Sequence, residues 1–72
     1  MTVDQAIEKA AQKMNTIFAV KLREATNAML SHGADRDEVE AFTTEQEAAF
    51  NEWRMNELDK LREKLLQDMT IH

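Results

Sequence analysis

The sequence predicts an all-α fold, a long antiparallel helical hairpin, and three observations support this class. The chain has no proline and a single glycine, Gly33. Its composition is dominated by residues with high helix propensity, namely alanine, glutamate, leucine, lysine, methionine and glutamine. Apolar residues recur at helical spacing, and the alternation typical of strands is absent.

The first predicted helix covers residues 3 to 32. Its apolar residues fall within an arc of about 140° on a helical wheel and recur roughly every 3.6 to 3.7 residues. They are Val3, Ile7, Ala10, Ala11, Met14, Ile17, Phe18, Leu22, Ala25, Ala28 and Met29. Lys21 is a charged exception inside this arc, and we expect it either to pair with Glu47 or to extend along its alkyl stem to solvent.

The predicted turn covers residues 33 to 35. Gly33 suits the left-handed conformation that ends many helices, because it has no Cβ. Asp35 can cap the next helix, and Glu38 three residues later completes a capping-box pattern. Such a short connection predicts that the two helices are antiparallel neighbours.

The second predicted helix covers residues 36 to 69. Thr44, followed by Glu47, provides another start signal, which leaves open a short third helix over residues 36 to 42. We expect one continuous helix, because no glycine or proline enforces a break at Thr43 and Thr44.

Apolar residues of the second helix form two sectors. Val39, Phe42, Ala49, Phe50 and Trp53 occupy the first sector, and Leu58, Leu61, Leu65 and Met69 occupy the second. The sectors are rotated by roughly 100°, with a five-residue step from Trp53 to Leu58. Because one partner helix does not require two sectors, this pattern predicts a homodimer that forms a four-helix bundle.

Antiparallel pairing about Gly33 is expected to bring Phe18 near Phe50, Met14 near Trp53, and Ile7 near Leu61. Met55 and Leu66 project away from both sectors, which predicts an exposed apolar pair that touches another chain. Arg54 and Glu57 lie between the sectors and are expected to bridge across the dimer. The predicted dimer or partner interface consists of Phe50, Trp53, Met55, Leu58, Leu61, Leu65 and Leu66.

The net charge of −5 is concentrated in one quarter of the chain, because residues 35 to 52 carry seven acids against Arg36. The predicted acidic patch consists of Asp35, Asp37, Glu38, Glu40, Glu45 and Glu47. Acids in the first turns of a helix complement its dipole and favour solubility. The alternative interpretation is a docking face for a basic partner.

Motifs for metals and catalysis are incomplete in this chain. Asp35 and Asp37 resemble the start of a calcium loop, but Glu40 stands at its glycine position and Gln46 at its bidentate glutamate position. His32 and His72 lack the Glu-x-x-His spacing of di-iron bundles. With no cysteine and a single serine, the sequence predicts no enzyme activity, no metal and no cofactor.

These patterns predict a non-enzymatic interaction or assembly module that acts as an adaptor or regulator of a larger partner. The alternative is an acidic inhibitor, such as a phage or mobile-element accessory protein, that occludes a basic or nucleic-acid-binding surface. The expected partners are a second copy of the chain and another protein. Direct nucleic-acid binding is not expected, because basic residues are dispersed among acids. Membrane association is not expected either, and we expect a cytoplasmic location, because no apolar run approaches ~20 residues and the first residues lack a signal-peptide pattern.

Overall fold

Two antiparallel α-helices pack against each other in the structure, a computed structural model that describes residues 1 to 70 and the side chains of residues 1 to 69. Helix α1 spans Val3–Ser31 and helix α2 spans Arg36–Thr70. The all-helical class is therefore confirmed, and no strand occurs among the described residues. The hairpin is a rod 57 Å long and 18 by 13 Å across.

Helix α1 begins with a capping box that the predicted boundary did not specify. The Gln5 backbone N–H donates to Thr2 Oγ1 at 3.1 Å, and the Thr2 N–H donates to Gln5 Oε1 at 2.9 Å. Both bonds satisfy backbone donors that lack partners within the helix. The sequence signal is the threonine followed by glutamine three residues later.

The bend between the helices follows the predicted stop and start signals. Gly33 has a φ of 94°, which a residue with a Cβ rarely adopts. Its N–H donates to the Leu30 carbonyl at 3.2 Å, while the Ala34 N–H donates to the Met29 carbonyl at 2.9 Å. This pair of bonds is a Schellman motif. Asp35 then caps α2, because its Oδ1 accepts the Glu38 N–H at 2.8 Å.

Helix α2 runs without interruption through Thr43 and Thr44. The alternative with a separate short helix over residues 36 to 42 is therefore wrong. Thr43 is half-buried rather than exposed. Its capping potential is outweighed by a helix that keeps its backbone bonds and packs continuously along α1.

The register of the hairpin follows from three side-chain contacts between the helices. The Phe18 and Phe50 rings stack with centroids 4.1 Å apart and planes 2° from parallel. Asp4 pairs with Arg62, and Asn15 pairs with Arg54. The two residue numbers in each pair add up to between 66 and 69, a nearly constant value, as antiparallel helices paired about a single bend require. The predicted pairing of Phe18 with Phe50 is confirmed, and the bend at Gly33 sets the register.

The contact stripe on each helix is continuous and includes polar residues on α2. Half-buried positions run from Val3 to Met29 on α1 and from Val39 to Leu65 on α2, in steps of three or four residues. Between Phe50 and Leu58 the stripe passes through Arg54, which lies four residues from each. Arg54 thus joins the two apolar sectors of α2. Their relative rotation follows from a stripe that repeats about every 3.7 residues and drifts around the helix. One partner helix accommodates both sectors, so their rotation does not require a second copy.

The hairpin has no buried core. No described residue is buried, and the chain exposes 5849 Å². A compact protein of this mass exposes about 4,600 Å². The radius of gyration of 16.6 Å likewise exceeds the roughly 11 Å expected for a compact domain of this length. Two helices form a single seam, and much of their apolar surface remains in contact with solvent.

Candidate functional site: two sides of the aromatic stack

An apolar groove lies on one side of the Phe18–Phe50 stack. Its volume is about 230 Å³, and it is lined by Met14, Ile17, Phe18, Lys21, Phe50 and Trp53. Two of these residues are large apolar side chains in contact with solvent, because Ile17 is 49% exposed and Trp53 is 50% exposed. We call this surface the Trp53 side.

Adjacent helical positions explain why the Trp53 side exists. Consecutive residues on a helix project about 100° apart, so Ile17 and Phe18 cannot both face α2. Phe18 occupies the seam and Ile17 is displaced to its flank. Trp53 lies one turn after Phe50, with ring centroids 6.0 Å apart and planes tilted by 33°. The predicted proximity of Met14 and Trp53 is confirmed, since both line this groove.

Lys21 lies at the edge of the Trp53 side and is exposed. The expected ion pair between Lys21 and Glu47 is wrong, because Glu47 lines a groove on the other side of the aromatic stack. Lys21 makes no ion pair with any residue in the described part of the chain. Its alkyl stem extends toward solvent, as the alternative expectation has it.

A more polar surface occupies the opposite side of the aromatic stack, and we call it the Arg54 side. Its groove is lined by Asn15, Phe18, Ala19, Leu22, Glu47, Phe50, Asn51 and Arg54. Arg54 Nη1 donates to Asn15 Oδ1, and Nη2 donates to Asn51 Oδ1 at 3.2 Å. The guanidinium carbon lies 5.3 Å from the centroid of the Phe50 ring. These contacts hold the two helices together while leaving Arg54 only half-buried.

Arg54 and Glu57 both find partners within the hairpin. Glu57 pairs with Lys60 at 3.5 Å, so the expected bridge across a dimer is not needed to satisfy either charge. Arg62 Nη1 donates to Asp4 Oδ1 at 2.9 Å near the chain termini. This exposed ion pair adds another link between the helices.

The predicted interface residues separate into two groups in the structure. Phe50, Leu58, Leu61 and Leu65 are half-buried along the stripe that contacts α1. Trp53, Met55 and Leu66 are exposed, with Met55 at 64% and Leu66 at 48%. Contact of either group with another chain stays a prediction. Ile17 belongs with the exposed group, and its position next to Phe18 is the sequence signal for it.

The acidic patch is spread over the bend and the first turns of α2. All six of its residues are exposed. Asp35 caps the helix, and Glu40 pairs with Arg36 at 3.1 Å. Within residues 1 to 70 no three histidine or acidic side chains form a metal-binding group. His72 lies outside the described residues.

Neither helix, over the residues that the structure describes, is long and apolar enough to cross a lipid bilayer. No protein-family model, no curated protein and no solved structure matches the chain. The geometry of the two sides is therefore the basis for a functional proposal.

Proposed function

We propose that the chain is a non-enzymatic assembly module that self-associates into a four-helix bundle and serves as a cytoplasmic adaptor or regulator of a larger protein. One observation carries this proposal: the hairpin buries no described residue, yet it holds Ile17 and Trp53 side by side on its surface. Contiguous apolar surface of this kind marks interaction sites.

The chemistry of the Trp53 side favours binding over catalysis. Its lining is apolar except for the Lys21 ammonium. Tryptophan is enriched among the residues that contribute most to binding energy at protein interfaces. The walls come from two helices whose register the Phe18–Phe50 stack holds, so the groove presents its side chains from an already folded backbone.

A second exposed surface suits the larger partner. Met55 and Leu66 lie eleven residues, about three turns, apart on α2, so they project in similar directions. Both point away from the Trp53 side on a helical wheel. We assign these two residues to the contact with the larger partner.

Mass in solution tests the self-association. Light scattering after size exclusion at micromolar concentration should give about twice the chain mass of 8.3 kDa. A folded species at the chain mass would contradict the four-helix assembly.

Paired charge variants test the contact with the larger partner. Met55→Lys should lose a protein that the native chain captures, because a charge in an apolar contact is not compensated. Asn56→Lys is the matched control, since it adds the same charge at the neighbouring exposed position. Capture by Met55→Lys at the level of the native chain would contradict this assignment.

The exposure of all six residues in the acidic patch supports a second candidate, an acidic inhibitor of a basic or nucleic-acid-binding surface. Such binding should be lost in about 0.5 M salt, where charges are screened within a few ångströms. A titration with an oligolysine peptide measures it. The triple variant Asp37→Asn, Glu38→Gln, Glu40→Gln should abolish binding if this candidate is correct. Equal affinity of the native and neutralised chains would reject it.

A further inference from the structure

We propose that the Trp53 side is the surface on which a second copy docks, and that the two hairpins lie antiparallel, with their bends at opposite ends of the bundle. This inference rests on the proposed self-association and specifies its surface and orientation. Three features of the molecule support it: the area left exposed, the position of the groove along the rod, and the distribution of charge.

The exposed area is sufficient for a stable dimer. The chain exposes 5849 Å², roughly 1,300 Å² more than a compact protein of its mass. A standard interface removes about 800 Å² from each partner. The half-exposed Trp53 and Ile17 would lie at the centre of that contact, where large side chains contribute most of the binding energy.

The groove lies at the middle of the rod. In the observed register Trp53 is level with residue 15, and the contact stripe of α1 runs from Val3 to Met29, with residue 16 at its midpoint. A two-fold axis through the groove therefore superposes the two hairpins along their full length. The same patch then serves both copies, as an isologous interface requires.

The charge distribution selects the antiparallel orientation. The bend half, residues 17 to 52, carries eight acids and three bases, whereas residues 1 to 16 and 53 to 72 together carry six acids and six bases. A parallel dimer would place two halves of net charge −5 side by side. The antiparallel dimer instead places each acidic half beside a half that is neutral and contains six bases. Because the Debye length is about 8 Å at physiological salt, neighbouring hairpins experience this difference.

Lys21 is compatible with this packing. It lies about five residues from the level of the two-fold axis toward the bend, so the axis places the two Lys21 positions roughly 15 Å apart along the rod, on opposite sides. Each alkyl stem covers apolar surface while its charged end remains in water.

Distance measurement between spin labels tests the orientation. The chain has no cysteine, so Ser31→Cys provides one labelling site, at the exposed end of α1. Two labels in the antiparallel dimer should lie about 45 Å apart, from 1.5 Å per residue on each side of the axis. A dimer with labels closer than about 25 Å would overturn the orientation while leaving self-association intact.

A matched pair of variants tests the surface. Trp53→Glu should weaken self-association at least about 100-fold, whereas Met55→Glu, with the same charge two residues along, should dimerise like the native chain. Circular dichroism verifies that both remain helical. As a measurement that needs no variant, the emission of the single tryptophan should shift to shorter wavelength as the native chain dimerises.

The outcomes distinguish this inference from the proposed function on which it rests. Loss of the dimer in Met55→Glu with retention in Trp53→Glu would overturn the docking surface, while the assembly function would stand. A native chain that stays monomeric at all concentrations would overturn both.

Discussion

Trp53 and Arg54 are consecutive residues, yet they belong to opposite sides of the hairpin. On the Arg54 side the charged group finds its partners within the hairpin, because the Arg54 guanidinium contacts Asn15, Asn51 and the face of Phe50. On the Trp53 side, by contrast, Trp53 is 50% exposed and Ile17 is 49% exposed. The Arg54 side therefore links the two helices, whereas the Trp53 side carries exposed apolar side chains.

The position of the seam explains this division. The contact stripe requires a residue four positions after Phe50 and four before Leu58, and Arg54 stands there. Arginine fills the position because its alkyl stem packs against neighbours while its charged end reaches polar partners. Trp53 falls on the flank of the stripe, where it is 50% exposed.

The largest loss of stability should come from Phe50→Ala, because the Phe50 ring lines the grooves on both sides of the stack. Loss of the ring and of its stack on Phe18 should lower the free energy of unfolding by about 2 to 3 kcal/mol. Urea unfolding followed by circular dichroism measures this loss. Phe42→Ala is the control, since Phe42 is half-buried but makes no ring contact with a described residue. Equal losses in both variants would contradict the central role of the stack.

A pair of variants with smaller expected effects distinguishes the Arg54 side from the Trp53 side. Arg54→Met keeps an alkyl chain near Phe50 but removes the hydrogen bond to Asn15, which should cost about 1 kcal/mol of unfolding free energy. It should leave self-association unchanged. Trp53→Met should show the reverse, with little effect on the unfolding of the monomer and a weaker dimer. A lower mass in solution for Arg54→Met, with the native mass for Trp53→Met, would contradict the roles proposed for the two sides.

The smallest effect should come from Asp4→Asn, which neutralises the exposed pair with Arg62. Surface ion pairs contribute at most about 1 kcal/mol, and Asp4 is highly exposed. We expect a loss of less than about 0.5 kcal/mol that disappears in high salt, measured by urea unfolding at two salt concentrations. A larger loss of unfolding free energy that is independent of salt would mean that contacts at the chain ends stabilise the hairpin more than an exposed ion pair does.

Local signals in the sequence account for most of the backbone. Gly33, Asp35 and the apolar stripe of α1 predict the bend and both helices within one residue of their observed ends. The antiparallel register follows from the bend alone, since pairing about Gly33 brings Phe18 to Phe50. These features depend on dihedral preferences and hydrogen bonds between residues close in the chain.

The membership of the seam, in contrast, was decided only by the tertiary structure. The apolar pattern places Trp53 in the first sector of α2 and leaves Arg54 between the sectors, and it includes Leu58, Leu61 and Leu65 in the predicted dimer or partner interface. The structure places Arg54 and those leucines on one continuous stripe along α1.

Hydrophobicity alone does not determine this choice, because a drifting stripe selects positions by geometry and a long arginine can meet both the apolar and the polar requirement. The sequence by itself therefore determined the helices, the bend and the register. Tertiary packing determined which side chains join the helices and which remain exposed.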